Sequence, residues 1–126
     1  MAWKMNKVKP LQGEIWLFDP ELTKGNEIGK KIRPGIIISH NLMNSGPSGL
    51  VFIVPLTSVK KGIESHVKID PPLGGLSVQS FALCEQMRAI SKVRLVKKFG
   101  TIKSLLHLNE IRSWLLDFTN LDPFSD

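Results

Sequence analysis

Short apolar runs, rich in β-branched and aromatic residues, alternate along this chain with proline, glycine and polar clusters; only one stretch is long and periodic enough for a helix. Residues 13–18 make the first run, closed by Asp19 and Pro20. Residues 33–39 make the second, and its continuous apolar segment predicts a strand buried on both faces. Further strands are predicted over 49–55, over 65–70 with rough apolar–polar alternation, over 78–86 and, more charged, over 94–100. Residues 41–47 and 71–75 read as turns, the former with room for a short helical turn. From 104 to 119, Leu105, Leu108, Ile111, Leu115 and Phe118 share one side of a helical wheel, opposite Asn109, Glu110, Ser113 and Asp117. Arg112 intrudes on the apolar side and Leu106 on the polar one. Five to six short strands and a core-packing C-terminal helix predict a mainly β fold, a small barrel with helical decoration.

A chain of 126 residues fits one domain, here 1–126, and at that size buries roughly two-thirds of its unfolded surface. Residues 1–12 form a polar, lysine-rich entry arm, and 19–32 a long polar loop with Gly25, Gly29 and three lysines. Such a long loop in a small domain is usually functional or disordered. Seventeen lysines and arginines against eleven carboxylates leave a formal charge of +6. That excess favours polyanionic partners, because neutralised phosphates release counterions. The first residues carry charge without the apolar core of a signal peptide. No run approaches the ~20 apolar residues of a membrane span. A cytoplasmic protein without membrane association is expected.

Cys84, the single cysteine, permits no intrachain disulfide and no thiolate zinc cluster, and its apolar surroundings suit a small buried hydrophobe. His40, His66 and His107 fall in three separate elements with no metal-binding spacing, so neither a metal nor a cofactor is expected. A nucleophile elbow, a P-loop and a dinucleotide fingerprint are all absent from the sequence. What remains is a set of cations and hydroxyls at strand ends. Arg33 opens the buried second strand; Thr57 and Ser58 follow the third, with Lys60 and Lys61 just beyond. A guanidinium beside hydroxyls suits a phosphate. RNA supplies its own nucleophile, the 2′-hydroxyl, so cutting it requires only a proton acceptor, a proton donor and a cation. A surface ion pair at Arg33 and a plain turn at Thr57 and Ser58 fit these residues as well.

Residues 13–16, 24–27, 30–39, 54–58, 66–70, 79–95 and 100–102, in that order, resemble the MazF/PemK/Kid toxins of bacterial toxin–antitoxin systems. Each stretch is weak alone; as a set they are specific. The resemblance implies an SH3-like barrel of the MazF/CcdB toxin type with an added C-terminal helix, working as a homodimer. It implies an mRNA interferase that cuts single-stranded RNA without a metal and so inhibits translation and growth. It also implies a cognate antitoxin with an acidic, partly disordered tail. By this resemblance Arg33 and Thr57 are catalytic: Arg33 stabilises charge on the scissile phosphate and Thr57 hydrogen-bonds it. The products would be a cyclic phosphate or 3′-phosphate and a 5′-hydroxyl.

RNA contacts are implied for Lys24, Gly25, Asn26, Glu27, Lys30 and Lys31 in the loop, and for Ser58, His66, Ser80, Gln86 and Arg88. The loop departs from the family pattern: Ile28 stands where a glutamine is common and the spacing to Arg33 is one residue longer, so Glu27 also fits a solvated carboxylate. Glu85 and Gln86 fit either dimer support or a base-reading groove. Arg88 fits a phosphate contact or a structural pair with Glu85. Tyrosine is absent, and Trp16 and Phe18 are expected in the core, so base stacking is expected to matter less than hydrogen bonding. Two other readings stand beside the nuclease. One is a CcdB-like toxin that binds DNA gyrase on the same fold and lacks the Arg–Thr pair; the other is a non-catalytic RNA-binding or autorepressor module.

Overall fold

The computed structural model describes residues 8–20 and 32–122. Among the described residues, seven antiparallel strands and two α-helices follow in the order β1 (Glu14–Phe18), β2 (Arg33–Ile37), α1 (Asn41–Asn44), β3 (Leu50–Thr57), β4 (His66–Ile69), β5 (Ser80–Leu83), β6 (Arg88–Ser91), β7 (Leu95–Thr101) and α2 (Leu105–Phe118). The strands are ordered β4-β5-β3-β2-β1-β7 in the sheet, with β6 added on β3. The fold is therefore mainly β with a C-terminal helix, as expected, and barrel-like in its strand order without a closing ladder among the described residues.

β3 organises the molecule because it has two partners on one side. Leu50–Ile53 pair with β6, and Leu56 and Thr57 pair with β5. Pro55, with no N–H to donate, falls in the gap between these ladders, so the strand runs through a proline that would otherwise end it. The expected end at residue 55 is thus two residues short.

Side-chain alternation divides the interior. Ile36, Val54 and Leu56 enter one apolar cluster with Ile15, Ile69 and Ile111; Ile37, Val51 and Ile53 enter another with Phe18 and Ile90. The burial of β2 on both faces follows directly. The run expected as one strand over 78–86 stops at Leu83, where a 3₁₀ turn over Cys84–Gln86 intervenes, and β6 is an additional strand. β6 has one fully buried apolar side chain, Ile90, and that is too little periodicity to announce a strand.

The helix also differs from its wheel. Only Ile111 is fully buried; Leu108, Trp114 and Leu115 pack partly against the core, while Leu105 is 70% exposed. Trp114 turns inward and stacks with Phe118, their ring centroids 6.1 Å apart. No helix among the described residues is long and apolar enough to cross a membrane.

Candidate active site

Arg33 is the first residue of β2 and lies across from Phe18 on β1. On the other side β2 pairs with β3 in the register Gly35↔Pro55. Carried two residues further, that register sets Arg33 opposite Thr57 at the end of β3. Both side chains line a cleft of about 680 Å³. Ser58, Lys61, Ser80 and Gln86 line it too, so residues far apart in the chain meet there.

The chemistry of each group follows from its bonds. Arg33 is exposed, and among the described residues no carboxylate pairs with it, so the ion-pair reading of this residue has no partner there. Arg33 lines the cleft, and among the described residues no carboxylate takes up any of its five N–H donors. The Thr57 hydroxyl accepts the N–H of Val59 at 3.2 Å. That bond forms a turn, as the plainer reading of Thr57 and Ser58 held, yet it uses only a lone pair and leaves the O–H free to donate. Ser80 is buried and donates to the carbonyl of Val78 at 3.1 Å, holding the segment that forms the cleft's far lip. Lys61 adds a second cation from the loop between β3 and β4.

Two other expected contacts lie outside this cleft. The His66 ring is buried, with Nε2 2.8 Å from Glu85 Oε2. Ser65 Oγ donates to the other oxygen of Glu85 at 3.4 Å. Burial raises the Glu85 carboxyl, but the bonds from His66, from its own backbone N–H and from Ser65 outweigh it and hold the group below its ordinary value. Glu85 therefore pairs with His66, not with Arg88. Arg88 donates to the carbonyl of Pro20 at 3.2 Å, and Arg94 donates to the same oxygen. These two guanidiniums fix the point where the chain leaves β1. Lys24, Gly25, Asn26, Glu27, Lys30 and Lys31 lie outside the described residues.

Cys84 opens the 3₁₀ turn that carries Gln86 and is 1% exposed. Burial, together with the charges of Glu85 and Glu110, pushes its thiol up to about 12. It offers no thiolate nucleophile at neutral pH. Among the described residues no three His, Cys, Asp or Glu side chains gather as a metal site would require. The sequence reading missed Lys61 and Phe99 as cleft residues. The basic pair after β3 was visible, but nothing local says which of its two lysines turns inward.

The family model for the PemK-like, MazF-like toxin of type II toxin–antitoxin systems matches residues 11–118. The chain is 30% identical over 113 residues to Endoribonuclease MazF9 of Mycobacterium tuberculosis, covering 84% of this chain and 95% of that protein. In structure it is similar to MazF of Deinococcus radiodurans, with a TM-score of 0.74 at 24% identity over 91% of this chain and all of the other. It is similar as well to an endoribonuclease from a mycobacterial species solved in complex with its cognate antitoxin, with a TM-score of 0.69 at 22% identity over 90% of this chain and 97% of the other.

Proposed function

The chain belongs to the PemK-like, MazF-like toxin family of type II toxin–antitoxin systems, and we propose that it is an endoribonuclease that cuts single-stranded RNA with Arg33 and Thr57. The observation that carries this reading is the meeting, in one cleft and on adjacent strands, of a guanidinium with no carboxylate partner among the described residues and a hydroxyl that accepts from a backbone N–H and keeps its own proton to donate.

The 2′-hydroxyl of the substrate attacks the neighbouring phosphorus as its proton leaves. The bond from phosphorus to the 5′-oxygen breaks, and that oxygen takes up a proton. A cyclic phosphate, or a 3′-phosphate after hydrolysis, and a 5′-hydroxyl result. Negative charge builds on the phosphoryl oxygens during attack, and Arg33 is placed to bind it. An arginine keeps its proton at any physiological pH, so its contribution is electrostatic rather than that of a base. Thr57 donates its free O–H to the same phosphate. No step calls on a metal.

Cutting of mRNA by such a protein inhibits translation and growth. The protein works in the cytoplasm as a homodimer, and the net charge of +6 suits an antitoxin whose acidic tail folds over the cleft and competes with RNA. The family model is that of PemK-like, MazF-like toxins and the curated relative named above is an endoribonuclease, which disfavours the gyrase-binding alternative.

Purified protein in EDTA is expected to cut a long single-stranded RNA and to leave the matching DNA intact. Arg33→Ala should lower the cleavage rate by about 10²- to 10³-fold, as loss of one preorganised donor does, with unchanged circular dichroism. RNA that stays whole after prolonged incubation with the wild-type protein overturns the reading.

A further inference from the structure

The cleft has an apolar side that the phosphate chemistry does not use. Phe99 is 39% exposed and Val78 55% exposed, and both line the cleft with Leu76. Aromatics are few in this chain, and a phenylalanine left open beside a set of phosphate-binding groups calls for a reason.

Its position is built with care. β1 pairs with β7 through Ile15↔Gly100 and Trp16↔Lys98, so adjacent residues of β1 oppose residues two apart on β7. Phe99 is the extra residue of a β-bulge. A bulge bends its strand and re-aims a side chain that the ordinary pleat would direct elsewhere. The turn that follows β4 then rests directly on this bulge. A Cβ at Gly75 would meet the carbonyl oxygen of Phe99 at 2.4 Å, and a Cβ at Gly100 would meet the backbone of Gly74 at 2.7 Å. Glycine at both places lets backbone lie against backbone, which brings the segment that continues to Leu76 and Val78 against the backbone of Phe99 and Gly100, and all three of Leu76, Val78 and Phe99 line the same cleft.

We propose that Phe99, backed by Val78, is the stacking platform for a base flanking the phosphate held at Arg33 and Thr57, and so a residue that determines substrate choice. The inference rests on the nuclease reading for its substrate class. The cleft fits a nucleotide's two halves: Arg33, Lys61 and Thr57 for the phosphate, an open aromatic and an aliphatic side chain for the base. Bases in single-stranded RNA are free to leave their own stack and settle on an aromatic face, which is how many proteins hold them. The bulge supplies stacking where a chain without tyrosine seemed to lack the means.

The test measures binding to a single-stranded 2′-O-methyl RNA 12-mer of mixed sequence, which cannot be cut because its nucleophile is blocked. Phe99→Ala should weaken binding roughly 5- to 100-fold, the range for losing one base–aromatic stack. Phe99→Trp should restore it, and the new indole's fluorescence should fall on binding relative to the wild-type background. An abasic ribose–phosphate oligomer should bind Phe99→Ala and wild type alike. Wild-type affinity in Phe99→Ala overturns the proposal; so does an equal loss for the abasic oligomer, or a change in oligomeric state by sedimentation. A protein that stacks this RNA through Phe99 yet never cuts the unmodified strand refutes the nuclease reading and leaves the platform standing. Cutting that is indifferent to Phe99→Ala does the reverse.

Discussion

Glu14 is 4% exposed at the start of β1, yet its environment keeps it charged. Lys98 Nζ lies 2.8 Å from one carboxylate oxygen; the other accepts from the N–H of Leu11 at 2.8 Å and from Trp16 Nε1 at 3.0 Å. Burial pushes the carboxyl up, but these bonds outweigh burial and leave it below its ordinary value of 4.5. A depressed folded value means that the stabilisation is fully present above 4.5 and is lost as pH falls through the folded value. Glu14→Gln keeps an acceptor for the two N–H donors and removes the negative charge that faces Lys98. The substitution should cost about 1–2 kcal/mol at neutral pH, and its stability should decline less steeply than wild type in acid. Urea denaturation at several pH values below 4.5 checks this, and parallel declines would assign the acid sensitivity to other carboxylates. Legibility at this scale depended on which face a side chain takes. Cys84 was readable as a small buried hydrophobe because the three residues before it, Phe81, Ala82 and Leu83, are apolar. His66 was not readable, since a one-residue change of register moves a strand side chain from one face to the other. Only the ladder His66↔Leu83 shows its ring beside the turn that carries Glu85.

Elements were legible where their pattern was local and obscure where a partner decided it. β2 announced burial on both faces through an unbroken apolar run, and two separate clusters receive its residues. β6 exists because Leu50–Ile53 of β3 offer it an edge, a fact that its own four residues do not carry. The wheel of α2 placed Leu105, Leu108, Ile111, Leu115 and Phe118 inward, but the helix meets the molecule near the Cys84–Gln86 turn and along β4, and that contact keeps Leu108, Ile111 and Leu115, leaves Leu105 and Phe118 exposed and adds Trp114. Loop glycines separate the same two kinds of constraint. Gly74 has φ +63°, and a Cβ there would meet Ile15 Cδ1 at 2.4 Å; Gly62 has φ +67° with nothing within 4 Å. Gly62→Ala should therefore cost about 1–2 kcal/mol, the left-handed penalty alone. Gly74→Ala should cost a further ~1–3 kcal/mol for overpacking the core. Chemical denaturation of both variants measures the difference, and equal losses would show that Ile15 yields without cost.

For the whole molecule, a formal charge of +6 pointed to polyanions but said nothing of where they bind. The fold makes the charge local. Arg33 and Lys61 line the cleft with Thr57, while Arg88 and Arg94 are committed to the carbonyl of Pro20. Net charge and cleft charge should therefore be separable by experiment, because Lys60 and Lys61 are adjacent in sequence and only Lys61 lines the cleft. Either substitution to alanine lowers the net charge by the same amount. If binding follows local contacts, Lys61→Ala removes about one phosphate contact and lowers the salt slope of log K by about 0.7 for single-stranded RNA. That loss should be uniform across base sequences, since a phosphate contact carries no sequence information. Lys60→Ala should leave the slope near that of wild type. Fluorescence anisotropy with an uncleavable 2′-O-methyl oligomer at several salt concentrations measures both slopes. Equal changes in the two variants would mean that the protein attracts RNA by its overall field and that Lys61 is no privileged cation of the cleft. A drop confined to Lys61→Ala would place the second phosphate beside the loop that follows β3, one step along the strand from the scissile bond.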